Sequence, residues 1–238
     1  MYAVVLASGF ATRLHPLTST QSKALLPVGG KPLLTHVVEM IPKDIEVLVT
    51  TNKVFEREFR VWAVSNPRVR LLVENIERLE DCPGPIGSLE MIIKMMEIDE
   101  PLLVLACDNY FSDDLVPFIS SFDGKNTLVA SCYVDSFGEA CWHGVPTVVN
   151  SRVTHFEEKP TPSPYILISP LCYIFPTRIF PLISNRDIMN RPPGNKMPRA
   201  GDLIAHLVDI GEEVYTHHFV ETWKHLTNIE SYYKLIGG

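Results

Sequence analysis

The sequence predicts a doubly wound α/β fold, built on a mainly parallel sheet that turns mixed in its second half. Three observations predict it. Short, almost continuous apolar runs alternate with longer amphipathic ones through the first half; strand candidates crowd together after about Thr127; and the first apolar run gives way at once to a loop-forming stretch, "LASGFATRLHPLTSTQSKALLPVGGKP", over residues 6–32. Strands of unbroken Val, Leu and Ile are buried on both faces, and joining them through helices requires right-handed crossovers to parallel neighbours.

In order, "YAVVLA" is a strand, "LLTHVVEMI" a helix, "IEVLVTT" a strand, "FEREFRVWAV" a helix, "VRLLVE" a strand, "GSLEMIIKMMEI" a helix, "PLLVLACDN" a strand and "SDDLVPFISSF" a helix. Four strand candidates follow, "TLVASCYVD", "GVPTVVN", "RVTHFEEK" and "YILISPLCYIF"; only "NS" separates the second from the third, so that pair is a hairpin. "KPTPSP" and "RPPGNKMPRAG" are surface loops, the second the more mobile. A helix "GDLIAHLVDIG", a strand "EVYTHHFV" and a helix "NIESYYKLI" complete the order. The 238 residues, 46% hydrophobic, are enough for one compact domain with halves at 1–126 and 127–238. Met91, Met95 and Met96 read as core packing, and His217 with His218 as strand alternation rather than a metal pair.

Composition narrows the function. A net charge of -7 offers no general attraction for nucleic acid or anionic lipid, so any phosphate binding must be local and the ligand small. Five cysteines, odd in number and without C-x-x-C spacing, read as reduced thiols of a cytoplasmic protein. Met1 leads straight into "YAVVLA" without a basic n-region, which reads as a strand rather than a signal peptide, and no apolar stretch approaches the ~20 residues of a membrane span.

In an open parallel sheet, ligands bind beyond the carboxyl ends of the strands. The opening loop leaves the first strand there and Asp108 of "CDN" ends another apolar run, so the two are expected in one crevice. Small residues at Ala7, Ser8, Gly9, Ala11 and Thr12 let backbone N–H groups approach an anion, and Arg13 and Lys23 supply charge-assisted donors for phosphate oxygens. Two better-known phosphate loops are excluded: Pro32 follows Lys31 where a P-loop needs Ser or Thr, and Ser8 and Ala11 break G-x-G-x-x-G. On residues alone, Asp108 and Asn109 also fit a helix N-cap before "SDDLV", Glu157 to Lys159 a solvated strand end, and Gly144 a strand start.

"SGFATRLHPLT", "SKALLPV" and "GKP" resemble, in order and spacing, the opening signature of the sugar-1-phosphate nucleotidyltransferases, the NDP-sugar pyrophosphorylases typified by glucose-1-phosphate thymidylyltransferase. The likeness recurs more weakly at "PIGSL", "CDN", "HGVPTVV", "FEEKP", "GDLI" and "ETWKHLTN". It implies a Rossmann-like nucleotidyltransferase fold, with residues 1–126 binding nucleotide and 127–238 sugar phosphate. The implied reaction is attack of a sugar 1-phosphate on the α-phosphorus of an NTP, with pyrophosphate leaving. A phosphate monoester, with its second pKa near ~6, is already largely dianionic at neutral pH, so positioning and charge neutralisation matter and a general base does not. By resemblance, the Gly9 loop and Arg13 hold the triphosphate, Lys23 the departing pyrophosphate, Gly87 lies against the nucleoside, and Asp108 binds Mg2+; Gly144, Glu158 and Lys159 take the sugar and its phosphate. The acyltransferase activity of the family's bifunctional branch is not expected of these residues.

Three departures stand out. Ser8 and Ala11 replace commoner glycines, Pro170 a glycine, and His225 of "TWKHLTN" stands where the family has its second metal-binding Asp. A histidine ligand would shift preference from Mg2+ towards Mn2+ or another divalent cation. The expected partners are a nucleoside triphosphate and a sugar 1-phosphate, without nucleic acid or membrane, with a homo-oligomer left open. Two other functions stay in view: a non-catalytic sugar-nucleotide-binding regulatory protein, and a cytidylyltransferase acting on a non-sugar phosphate.

Overall fold

A computed structural model describes residues 1–112, 114–183, 198–220 and 223–237. They fall into two groups. The first comprises Met1–Cys82, Val104–Val116 and the described residues of 221–238. It contains β1 (Tyr2–Leu6), a small hairpin of β2 (Pro27–Val28) and β3 (Lys31–Pro32), α1 (Leu33–Met40), β4 (Glu46–Asn52), α2 (Glu56–Val64), β5 (Val69–Glu74), most of β6 (Leu102–Ala106), and β7 (Asn109–Phe111). The strand order is β5-β4-β1-β6, with β1, β4 and β5 mutually parallel. Ala3, Val4 and Val5 are consecutive and fully buried, as are Val47 to Val49, which is why these strands read as continuous apolar runs. Parallel pairing brings Leu6, Asn52 and Glu74 to one edge, where ligands of such sheets bind.

The second group comprises Pro83–Leu103 and the described residues of Pro117–Val220. After α3 (Gly84–Met95) come β8 (Thr127–Tyr133), β9 (Gly144–Val149), β10 (Arg152–Glu158), β11 (Leu167–Ile168), β12 (Cys172–Phe175), a helix Ala200–Asp209 and β13 (Val214–His218). β8 pairs parallel with β13 and antiparallel with β11 and β12; β10 pairs antiparallel with β13 and β9. The β9–β10 turn uses Asn150 and Ser151, both left-handed at φ 51 and 62, the conformation a two-residue hairpin loop needs to match strand twist. Gly144 also bridges to Ser169 just beyond β11, so β8, β13, β10, β9 and β11 close into a ring. The architecture is the expected one: a mixed, mainly parallel Rossmann-like sheet flanked by helices.

Several local expectations are corrected. "YILISPLCYIF" is two strands, because Pro170 has no N–H for a ladder and its carbonyl instead accepts from Cys172. "CDN" is followed by a further short strand, β7, which pairs antiparallel with an unanticipated β14 (Trp223–His225). Ile86, Leu89 and Ile92 take the inward face of α3, leaving Met95 55% exposed rather than in the core. Of the proline-rich stretch 191–201, residues 191–197 lie outside those described, and Ala200 and Gly201 already belong to the helix. All five cysteines are free thiols, with Cys107, Cys132 and Cys172 buried. Among the described residues, no helix is long and apolar enough to cross a membrane.

Candidate active site

The loop after β1 is pinned to the carboxyl ends of β4 and β5. The Ala7 N–H donates to Thr50 Oγ1 at 2.9 Å, Asn52 Nδ2 donates to the Ser8 carbonyl at 2.9 Å, and Ser8 Oγ donates to Glu74 Oε1 at 2.7 Å. The Ala7 donor is thus spent inside the protein, and its small side chain is buried. At Gly9 a Cβ would meet nothing within 4 Å and φ is not positive, so neither packing nor conformation within the chain asks for glycine there. Open space over a backbone at this sheet edge suits close approach by a ligand. Ala11 adopts φ 48, ψ 44, and its carbonyl accepts from Thr18 Oγ1 at 2.9 Å, turning the chain so that Thr12 and Arg13 face solvent.

Beside this loop, Lys23 lies in a short 3-10 turn whose Ser22 hydroxyl caps the Ala24 N–H. Asp108 occupies the bend between β6 and β7, and β14 sets His225 opposite Asn109. Lys23 Nζ lies 2.5 Å and His225 Nε2 3.1 Å from the same oxygen, Asp108 Oδ2. The other oxygen, Oδ1, is buried and has no hydrogen-bond partner among the described residues. Burial alone would push the Asp108 carboxyl up, but the Lys23 ammonium and then His225 hold it well below the usual carboxylate range. For Lys23 the same balance runs the other way: burial lowers it, and the Asp108 carboxylate more than compensates. The Cys107 thiol is pushed up to about 12 by burial, so it stays protonated between the charges. The site therefore stores an ion pair.

Among the described residues no group of three or more His, Cys, Asp and Glu could hold a metal ion. The donor set nevertheless fits one hard cation: Asp108 Oδ1 is a buried anionic oxygen without a partner among the described residues, and triphosphate oxygens complete such a shell in phosphate-transfer sites. His225 Nε2 is turned to Asp108 Oδ2, the arrangement of a residue that orients a ligating carboxylate. Trp223 fixes that imidazole by stacking on it at 5.6 Å while its Nε1 donates to Asn109 Oδ1.

The residues expected to meet the sugar phosphate belong to the second group. Glu158 ends β10 opposite Gly144, and two glycine backbones enclose it: a Cβ at Gly201 would sit 1.9 Å from Glu158 Oε2, and one at Gly144 2.4 Å from Phe156 Cζ. Burial pushes the Glu158 carboxyl up to about 7, against the pull of Lys159 4.0 Å away and of Arg199, and with the help of Asp202. Lys159 is left-handed at φ 58, held by its N–H donating to the His143 carbonyl at 3.0 Å; such strain concentrates at functional sites. Gly87 lies in the first turn of α3, where a Cβ would come 2.6 Å from the Pro83 ring, so the helix's own packing already requires glycine.

Ala7, Ser8, Gly9, Ala11, Thr12, Arg13, Lys23, Asp108 and His225 thus stand in one group, and Gly87, Gly144, Glu158 and Lys159 in the other. Sequence reasoning missed Thr50, Asn52 and Glu74, which tie down the loop, and Gly201. The signal for the first three was a polar residue closing each apolar run, in "VLVTTN" and "LLVE".

The sequence pattern described as nucleotidyl transferase matches residues 2–237. The bifunctional protein GlmU of Methanocaldococcus jannaschii is 25% identical over 87% of this chain and 47% of its own length. A mannose-1-phosphate guanyltransferase of Debaryomyces hansenii is 32% identical over 67% of this chain and 45% of its own. The chain thus spans about half the length of these relatives. A Bacillus anthracis protein described as a glucose-1-phosphate thymidylyltransferase, crystallised with sucrose, superposes with a TM-score of 0.83 over 100% of this chain and 94% of its own, at 21% identity; that likeness concerns the fold.

Proposed function

The chain belongs to the nucleotidyl transferase family, and from that premise we propose that it transfers the nucleotidyl group of a nucleoside triphosphate to a sugar 1-phosphate, forming a nucleoside-diphosphate sugar and pyrophosphate. The observation that carries this reading is the Lys23–Asp108–His225 constellation beside the loop of residues 7–13, a concentrated charge site in an otherwise acidic protein.

An oxygen of the acceptor phosphate attacks the α-phosphorus, and the bond from that phosphorus to the oxygen bridging to the β-phosphate breaks. The leaving pyrophosphate keeps the electron pair, so charge accumulates on the β- and γ-phosphates, within reach of Arg13 and Lys23. Lys23 neutralises Asp108 in the ligand-free protein and turns to the leaving group when phosphates arrive. Family members generally use a divalent metal ion, Mg2+ in our reading; when bound, it supplies neutralisation of triphosphate charge, with Asp108 as its protein ligand. His225 orients Asp108. Ser8, Gly9, Ala11 and Thr12 bound the triphosphate, with Ala7 fixing their backbone, and Gly87 flanks the nucleoside. Gly144 gives the sugar room, Glu158 accepts or donates a hydrogen bond to a sugar hydroxyl, and Lys159 pairs with the acceptor phosphate. We propose a cytoplasmic location, which the free thiols and small anionic substrates support.

Pyrophosphate release from a panel of NTPs and sugar 1-phosphates tests this. Release is expected only when both substrates are present, and Lys23→Ala and Asp108→Ala should each lower turnover by about 100-fold or more. Binding of NTP without release under any pairing would support a regulatory binding protein, and release only with a non-sugar phosphate would support the cytidylyltransferase alternative.

A further inference from the structure

The ring of β8, β13, β10, β9 and β11 has a consequence away from phosphate chemistry. Alternate residues of a strand share a face, so Ser131 and Tyr133 on β8, Thr216 and His218 on β13, and Pro146 and Val148 on β9 form three pairs with one facing each. Ring closure turns these faces towards one another around a hollow of about 590 Å³, within the range of small-molecule sites. Tyr165 and Leu167 also line it.

The lining is specific in kind. Among the described residues that form it there is no Lys, Arg, Asp or Glu, so it offers nothing to a phosphate or an ammonium group. Two tyrosines present exposed rings, Tyr133 at 64% and Tyr165 at 48%, and the Tyr133 ring is braced edge-on by His218 at 5.0 Å. Between them stand hydroxyls. Thr216 lines the hollow as well, although its Oγ1 is itself buried and, among the described residues, has no hydrogen-bond partner. Aromatic faces beside uncharged hydroxyl and imidazole groups suit a ligand with apolar C–H faces and many hydroxyls.

We propose that this hollow is a binding site for a neutral saccharide, stacked on Tyr133 and Tyr165. The site is separate in composition from Gly144, Glu158 and Lys159, and does not rest on the proposed transfer reaction.

Saturation-transfer NMR and calorimetry with glucose, mannose, N-acetylglucosamine and maltose test it, with glucose 1-phosphate and a nucleoside as comparators. At least one neutral sugar is expected to bind, and Tyr133→Ala and Tyr165→Ala should each weaken it by about tenfold, the loss of one stacking face. Glu158→Ala, which empties the acceptor site of its carboxylate, should leave this binding intact. Both tyrosines are exposed, so these substitutions should leave Tm nearly unchanged, separating lost binding from lost folding. Absence of neutral-sugar binding to the wild type, binding indifferent to both cavity substitutions, loss of binding in Glu158→Ala, or preference for the nucleoside would each overturn the proposal.

Discussion

Asp108 shows how one residue gathers its function from distant stretches of chain. Its nearness to Lys23 was expected, because both residues follow apolar strands to the carboxyl edge of a parallel sheet. The orientation of His225 was not legible, since it depends on β14 pairing with β7 across more than a hundred residues. Substituting His225→Asp places a second carboxylate beside Asp108, and Mg2+ binding should tighten by about fivefold or more as ligand charge rises. The check is the Mg2+-dependent rise in Tm of variant and wild type without nucleotide; an identical rise would detach His225 from the cation's surroundings. Glu158 is the opposite case, a carboxyl raised from 4.5 to about 7 by burial. A group raised on folding adds stability that is complete below its ordinary pKa and is lost as pH climbs through the folded value. Wild-type stability should therefore fall between about pH 4.5 and 7 relative to Glu158→Gln, by at most about 3 kcal/mol, and Tm with it. Parallel pH profiles of the two proteins would show instead that Glu158 ionises normally.

At the scale of elements, the helix Ala200–Asp209 matters more for where it begins than for its core face. Its second residue, Gly201, lies against the Glu158 carboxylate and the Phe156 ring at the end of β10. The motif "GDLI" announced a helix start but gave no sign of this contact, because a glycine read from sequence looks the same whether it serves a turn or a close approach. A methyl at 201 would meet the Glu158 carboxyl and also the buried Phe156 ring 2.9 Å away, so both must shift. Gly201→Ala is thus expected to lower Tm by a few degrees, while the displaced carboxyl raises KM for the sugar 1-phosphate by about tenfold and leaves KM for the NTP within about twofold. Equal effects on both substrates would assign Gly201 to packing alone. The strands themselves were the most legible elements: "VRLLVE" matches Val69–Glu74 residue for residue, since unbroken apolar runs leave one low-energy option.

For the molecule as a whole, the first group is assembled from three stretches of sequence, and its core joins Leu14, Leu26, Val28 and Leu33 to Leu226 and Tyr232. The Tyr232 hydroxyl donates to the Pro27 carbonyl at 2.9 Å, tying the helix Ile229–Ile236 to the hairpin after the phosphate loop. Tyr232→Phe should cost about 1 kcal/mol, lowering Tm by about 2–4 °C, and should weaken NTP binding severalfold; thermal melts with and without NTP measure both, and an unchanged NTP response would show that the loop stands without this tie. This closure also sets an order in time. On the ribosome, the loop of residues 7–13 emerges first, yet the strand bearing His225 and the helix bearing Tyr232 emerge only after Gly144, Glu158 and Gly201 have been made. On the proposed reading, a nascent chain therefore carries its triphosphate loop without the Tyr232 tie until Gly144, Glu158 and Gly201 have been made, so the grip on nucleotide is completed after the residues proposed for the acceptor.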